Sequence, residues 1–449
     1  MITAFLNHQT LYSTLPQGWQ RMHIKYSKLK LGSGKTPSGG NSVYLDSGIA
    51  LIRSLNVYDD GLRTEGLVYI DKNTDQEMAG TRLEENDVLL NITGASIGRS
   101  CIVPDWVLPA NVNQHVCIIR PSKNVLPQYL AYILKSAPVK DQIAAYQQGS
   151  SREGLNFAQV GDLAFLLPST QIQQVIASFL DRKTAAIDTL IAKKQCLIQL
   201  LEEKRTALIN QAVTKGLNPS VPMKDSSIPW IGEIPKHWDV LQLRRCICRI
   251  EQGWSPVAED RIAQENEWSV LKLNSVSKGE FHPNEHKVLP EGTEPDKRYE
   301  VKHGDLLLSR ANTPQFVGEA CYVENPPPRL MLSDLLYRLD LDERFINKKF
   351  CAYYLISKFG KSQISADARG TSQSMVKISQ GHIKAWIIPF PPSLEEQESI
   401  AIYLDVQLAF IKNITNRIIR QIEKLQEYRR SLITAAVTGK LNIGEEDAA

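Results

Sequence analysis

The chain repeats itself over a long period. Ile176, Ala177, Leu180 and Asp181 recur as Ile400, Ala401, Leu404 and Asp405, and Ala212-Val213-Thr214 recurs as Ala436-Val437-Thr438, all at one offset of 224 residues. So long a period excludes a solenoid and implies two copies of a domain, each followed by a helix. Pro16 and Trp19 match Pro235 and Trp238, and Gly34 to Pro37 match Gly253 to Pro256. Asp87 to Leu90 match Asp305 to Leu308, each an apolar run after a polar turn and so a strand. Ala131-Tyr132 corresponds to Ala352-Tyr353, and Gly149-Ser150-Ser151 to Gly370-Thr371-Ser372. Between these anchors the copies differ almost everywhere. One frame carries two different surfaces.

Both closing helices show a seven-residue apolar seam. In the first, Leu180, Ile187, Leu201 and Leu208 occupy one heptad position and Ile191 and Ile198 the other. In the second, Leu404, Ile411, Ile418, Leu425 and Leu432 recur every seven residues, with Leu408 and Ile422 beside them. Thr170 and Gln173 are spaced as a capping box, Ser393 opens the second helix and Gly439 ends it. Lys194 and Arg205 interrupt the first seam and would fix its register. Each helix makes a rod of about 60 Å. So narrow a seam favours a helix partner over packing onto the chain's own domains.

The expected fold is therefore α+β. A globular domain over 1–169 leads into a long helix over 170–215. A Pro/Gly linker over 216–234, extended and exposed, leads to a second domain over 235–392. A second helix over 393–440 and a tail over 441–449 complete the chain. Paired antiparallel, the helices would form a coiled coil with a pseudo-two-fold axis.

Composition narrows the function. Seven scattered cysteines without a CxxC pair point to reduced thiols in a cytoplasmic protein. No signal peptide and no long apolar span is evident, so no membrane partner is expected. A net charge of +3 is small for a chain that grips DNA alone, so either DNA is not the partner or another subunit supplies positive surface. Gly34-Lys35-Thr36 resembles the end of a P-loop, but Leu29 stands where that loop needs glycine. Asn325-Pro326-Pro327-Pro328 lacks the aromatic residue of an adenine-methyltransferase motif. Pro283 disfavours the helix that would align His282 with His286, and Cys246 and Cys248 lack zinc-ligand spacing. Neither a catalytic site nor a metal site is expected. These residues alone leave a DNA reader, a coiled-coil scaffold for two protein-binding domains, and an enzyme of unrecognised type open.

Several short segments carry a resemblance: Asn91 to Gly98, Val112-Asn113-Gln114, Gly149-Ser150-Ser151, Ala212 to Gly216, and Trp230 to Pro235 followed by Trp238. In this order, and separated by heptad helices, they resemble the specificity subunits of type I restriction–modification systems across essentially the whole chain. In the second copy, Arg310 to Gly318 departs from the Thr-Gly-Ala turn often found there. The resemblance implies two target-recognition domains that each read half of a split site in double-stranded DNA. It also implies paired helices acting as a ruler, two docked methyltransferase subunits and, in some complexes, motor–nuclease subunits. S-adenosylmethionine, ATP and Mg²⁺ would then belong to those partners and not to this chain.

Base edges are read by Arg, Lys, Asn and Gln, while hydroxyls and amides hold phosphates. Polar loop residues near the repeat anchors are therefore the candidates for DNA contact. In the first domain these are Arg99, Asn113, Gln114, Ser150, Ser151 and Arg152; in the second, Arg310, Asn312, Arg369, Thr371, Ser372 and Gln373.

Overall fold

The computed structural model describes residues 15–147, 154–372 and 375–444. It contains two compact units, one built from residues up to Gln195 and from Ile419 onward, the other from Cys196–Ile418. Each unit holds one globular domain and a segment of each long helix, Thr170–Lys215 and Leu394–Val437. The fold is α+β. No helix among the described residues is long and apolar enough to cross a membrane.

The two domains share one topology. A four-stranded antiparallel sheet has the order Lys28–Ser33, Val116–Pro121, Val88–Asn91, Ser100–Ile102 in the first domain. In the second the order is Ile247–Gln252, Leu336–Leu341, Leu306–Ser309, Ala320–Tyr322. A smaller sheet pairs Ile49–Ile52 in parallel with Ala110–Val112, and Ser269–Leu271 in parallel with Leu330–Met331. Side-chain alternation explains the apolar runs at the centre. Val88 and Leu90 enter the core that contains the helices, whereas Leu89 enters a second core shared with the smaller sheet. Leu306 and Leu308 are divided from Leu307 in the same way. Covered on both faces, each strand is apolar at successive positions, and its one polar residue, Asn91 or Ser309, stands buried at the strand end.

Repeat-related side chains hold each domain to its helix. Gln173 is fully buried; its amide accepts from the Leu126 N–H and donates to the Asn124 and Pro168 carbonyls. Gln397 repeats this with Asn347, Phe345 and Pro391. Tyr132 donates to Asp181 at 2.6 Å and Tyr353 to Asp405 at 2.5 Å. Each domain also reaches the other helix: the Ala137 N–H donates to Thr434 and the Lys358 N–H to Asn210.

In each unit the helix segments run antiparallel. Asp188 faces Arg429 and Lys194 donates to Gln421 in the first; Ile209 and Val213 share a core with Ile400 and Leu404 in the second. Leu180, Ile187, Leu404, Ile411, Ile418 and Leu432 are buried, and Ile191, Ile198, Leu201, Leu208, Leu408, Ile422 and Leu425 are half-buried. The same heptad positions include Thr184, Thr415 and Arg429, which apolar spacing does not single out.

Two local expectations are corrected. The capping box at Thr170 and Gln173 does not form: Ser169 Oγ accepts from the Ile172 N–H, and the Gln173 amide is committed to the domain. The linker is not simply extended. Met223–Asp225 pairs with Glu233–Pro235, and Ile231 and Ile234 are buried. The positive φ of Gly232 lets this short hairpin turn back.

Candidate nucleic-acid interface

In the first domain four connections are tied together beside the four-stranded sheet. The Gly34 N–H donates to the Asn113 carbonyl, the Ile92 N–H to His115 and the Leu155 N–H to Ile92, while Thr93 bridges Gly154. Gly34 is required for this approach, because a Cβ there would overlap the Val112 carbonyl. Lys35 and Thr36 follow immediately and are exposed. The His115 ring lies between Thr93 Oγ1 at 2.5 Å and the exposed Gln114 amide at 2.8 Å.

The first domain's candidates have different surroundings. Asn113 is only 7% exposed, and its Oδ1 accepts from the His115 N–H. It shapes the turn. The Arg99 guanidinium stacks 4.6 Å from the Tyr58 ring, which Arg63 also covers at 3.6 Å. Ser150, Ser151 and Arg152 lie outside the described residues.

A buried network supports the strand that leads to this turn. Asn111 Nδ2 donates to Asp75 at 2.6 Å, and Asn111 Oδ1 accepts from Thr81 at 2.7 Å. Arg82 binds the same carboxylate and holds Asp75 below its ordinary range, with the Asn111 bond adding to the effect against burial. The second domain has Met331 in the corresponding strand, packed with Val270 and Leu289.

The second domain repeats the frame with other residues. A Cβ on Gly253 would overlap the Leu332 carbonyl, and the Trp254 N–H donates to that carbonyl at 3.0 Å. Ser255 Oγ accepts from the Asp334 N–H. Arg310 donates to Tyr337 Oη and to the Asp334 carbonyl. Ala311–Asn312 pairs with Met375–Lys377, which pairs with Arg369–Ser372. One small sheet thus carries Asn312, Arg369, Thr371 and Ser372, with Arg310 at its edge. Asn312 Oδ1 accepts from the Thr313 N–H. Gln373 lies outside the described residues. Where the first domain has the half-buried Arg99 over Tyr58, the second buries Glu319 against Lys361 at 2.6 Å.

A family model described as the type I restriction modification DNA specificity domain matches residues 56–199 and 235–424. The chain belongs to that family. As a specificity subunit of a type I restriction–modification system, its role is DNA sequence recognition. The EcoEI specificity subunit of Escherichia coli is 28% identical over 247 residues, a match covering 55% of this chain and 40% of that relative. The EcoKI specificity subunit of Escherichia coli strain K12 is 23% identical over 448 residues, covering 95% of this chain and 90% of the relative. A solved chain from work on complex assembly and conformational transition of the type I R-M system shares the fold at a TM-score of 0.69. It is 16% identical and covers 95% of this chain and 100% of its own.

Lys35, Thr36 and His115 escape the sequence reading of this specificity subunit, Lys35 and Thr36 because Gly34-Lys35-Thr36 looks like a failed phosphate loop. The available signal is the repeated Gly-x-(Ser/Thr)-Pro itself. A glycine needed twice for the same close approach marks a turn shared by both domains. Among the described residues no cluster of His, Cys, Asp or Glu is arranged to hold a metal ion.

Proposed function

We propose that this specificity subunit reads an asymmetric, bipartite DNA site with an unread gap, one half-site by each domain. It docks two adenine methyltransferase subunits and, where present, a motor–nuclease subunit. S-adenosylmethionine, ATP and Mg²⁺ serve those partners, and this chain carries out no chemistry of its own.

The observation that carries the reading is the doubled frame with divergent surfaces. The same close-approach glycine presents Lys35 and Thr36 in one domain and Trp254 and Ser255 in the other. A reader with unlike surfaces requires unlike half-sites. Arg99, Gln114, Ser150, Ser151 and Arg152 are proposed contacts of the first domain. Arg310, Asn312, Arg369, Thr371, Ser372 and Gln373 are those of the second, and Asn113 positions its neighbours.

The decisive experiment maps adenine methylation at base resolution in cells carrying the methyltransferase partner, with and without this chain. The expected result is a split motif that appears only with the chain. A stable complex with an active partner and no new methylation would favour a scaffold joining proteins.

A further inference from the structure

Two repeat-related positions on the long helices carry different charge patterns in the two units. Arg205 corresponds to Arg429 and Asp188 to Lys412, each at the offset of 224. In the first unit these residues bind each other, with Arg429 Nε 3.0 Å from the Asp188 carboxylate. In the second unit both positions are cationic and cannot pair. Both side chains turn to the hairpin Val276–Phe281: Arg205 donates to the Lys278 carbonyl, and Lys412 Nζ lies 2.6 Å from Glu280.

The matching hairpin of the first domain, Val57–Leu62, is held within its own domain. Asp59 pairs with Lys140 at 3.0 Å and accepts from the Ser100 N–H at 2.9 Å. The second hairpin closes through Lys278 and Gly279, both at positive φ, and a Cβ on Gly279 would overlap Ile356. Beside it lies a crevice of about 620 Å³, lined by Arg205, Lys278, Glu280 and Lys412 among others. Two side chains span from helix to hairpin where continuous packing is missing. Exposed ion pairs of this kind add little to overall stability, so their effect falls on orientation.

We propose that Arg205 and Lys412 are positioning residues. They strap the second recognition domain to the helices, and the strap narrows the range of gap lengths accepted; in the first unit the equivalent Asp188 and Arg429 bind each other instead. The gap-length part rests on the bipartite reading above.

Lys412→Asp places a carboxylate where Asp188 stands in the first unit, so Arg205 turns to it and releases the hairpin. In the full-length chain within its methyltransferase complex, amide exchange over 276–281 is expected to rise about tenfold, with long-helix amides unchanged. The methylation map of the same complex should then show the original half-sites at additional gap lengths. Glu280→Gln, a gentler change, should move both readouts in the same direction by less. Unchanged exchange over 276–281 in both second-unit variants would overturn the strap. Faster exchange with an unchanged set of gaps would overturn its positioning role. A wild-type complex that methylates no split motif would sink the bipartite reading and the gap-length claim with it, while the exchange data still decide the strap.

Discussion

Gly34 and Gly253 each sit where any side chain would meet a carbonyl of the strand-end turn. Gly34→Ala must displace either its own loop or the Asn113 turn, at about 1–3 kcal/mol. Denaturant midpoints for Gly34→Ala and Gly253→Ala should fall to a similar extent, each with faster exchange in its own unit; unchanged midpoints would refute the tight approach. Asp75 gives a pH-dependent counterpart. Its folded carboxyl titrates below its unfolded value because Arg82 and Asn111 bind the ionised form. Its stabilisation is therefore complete above about pH 4 and lost as pH falls through the folded pKa. Asp75→Asn should cost about 1–3 kcal/mol at neutral pH and flatten the acid limb of the stability curve. An acid limb identical to wild type would exclude Asp75 as its source.

At the scale of elements, the long helices carry the clearest geometric prediction. Removing the heptads Ile191–Leu197 and Ile419–Leu425 together keeps the seam in phase. Seven residues at about 1.5 Å each shorten the rod by about 10 Å, or about three base pairs. The methylated motif should keep both half-sites and lose about three base pairs of gap; an unchanged gap would eliminate the ruler. These helices were legible in the sequence because a seven-residue period needs no tertiary information. The Tyr132–Asp181 and Tyr353–Asp405 bonds were half legible, since all four residues are repeat anchors whose contact no local pattern reveals. The Asp188/Lys412 exchange was not legible at all. Its meaning depends on which helix turn faces which hairpin, and that follows only from the paired structure. The bond from the His115 N–H to Asn113 was illegible for a related reason: a polar residue beside a turn can face outward or cap the turn, and only the folded chain shows which.

For the whole molecule, a net charge of +3 spread over two domains limits what the chain achieves alone. The salt dependence of DNA affinity counts released counterions, so the isolated chain should show a shallower log–log slope than its complex with methyltransferase subunits. Equal slopes would place the phosphate contacts on this chain. The order of synthesis sets a different constraint. The second unit is one unbroken stretch, Cys196–Ile418, whereas the first closes its core with Ile433, Ala436 and Val437. A ribosome therefore delivers every part of the second unit before the helix that seals the first. The domain translated earlier waits, with its apolar helix-binding face open to chaperones and proteases, until the last turns of the final helix emerge.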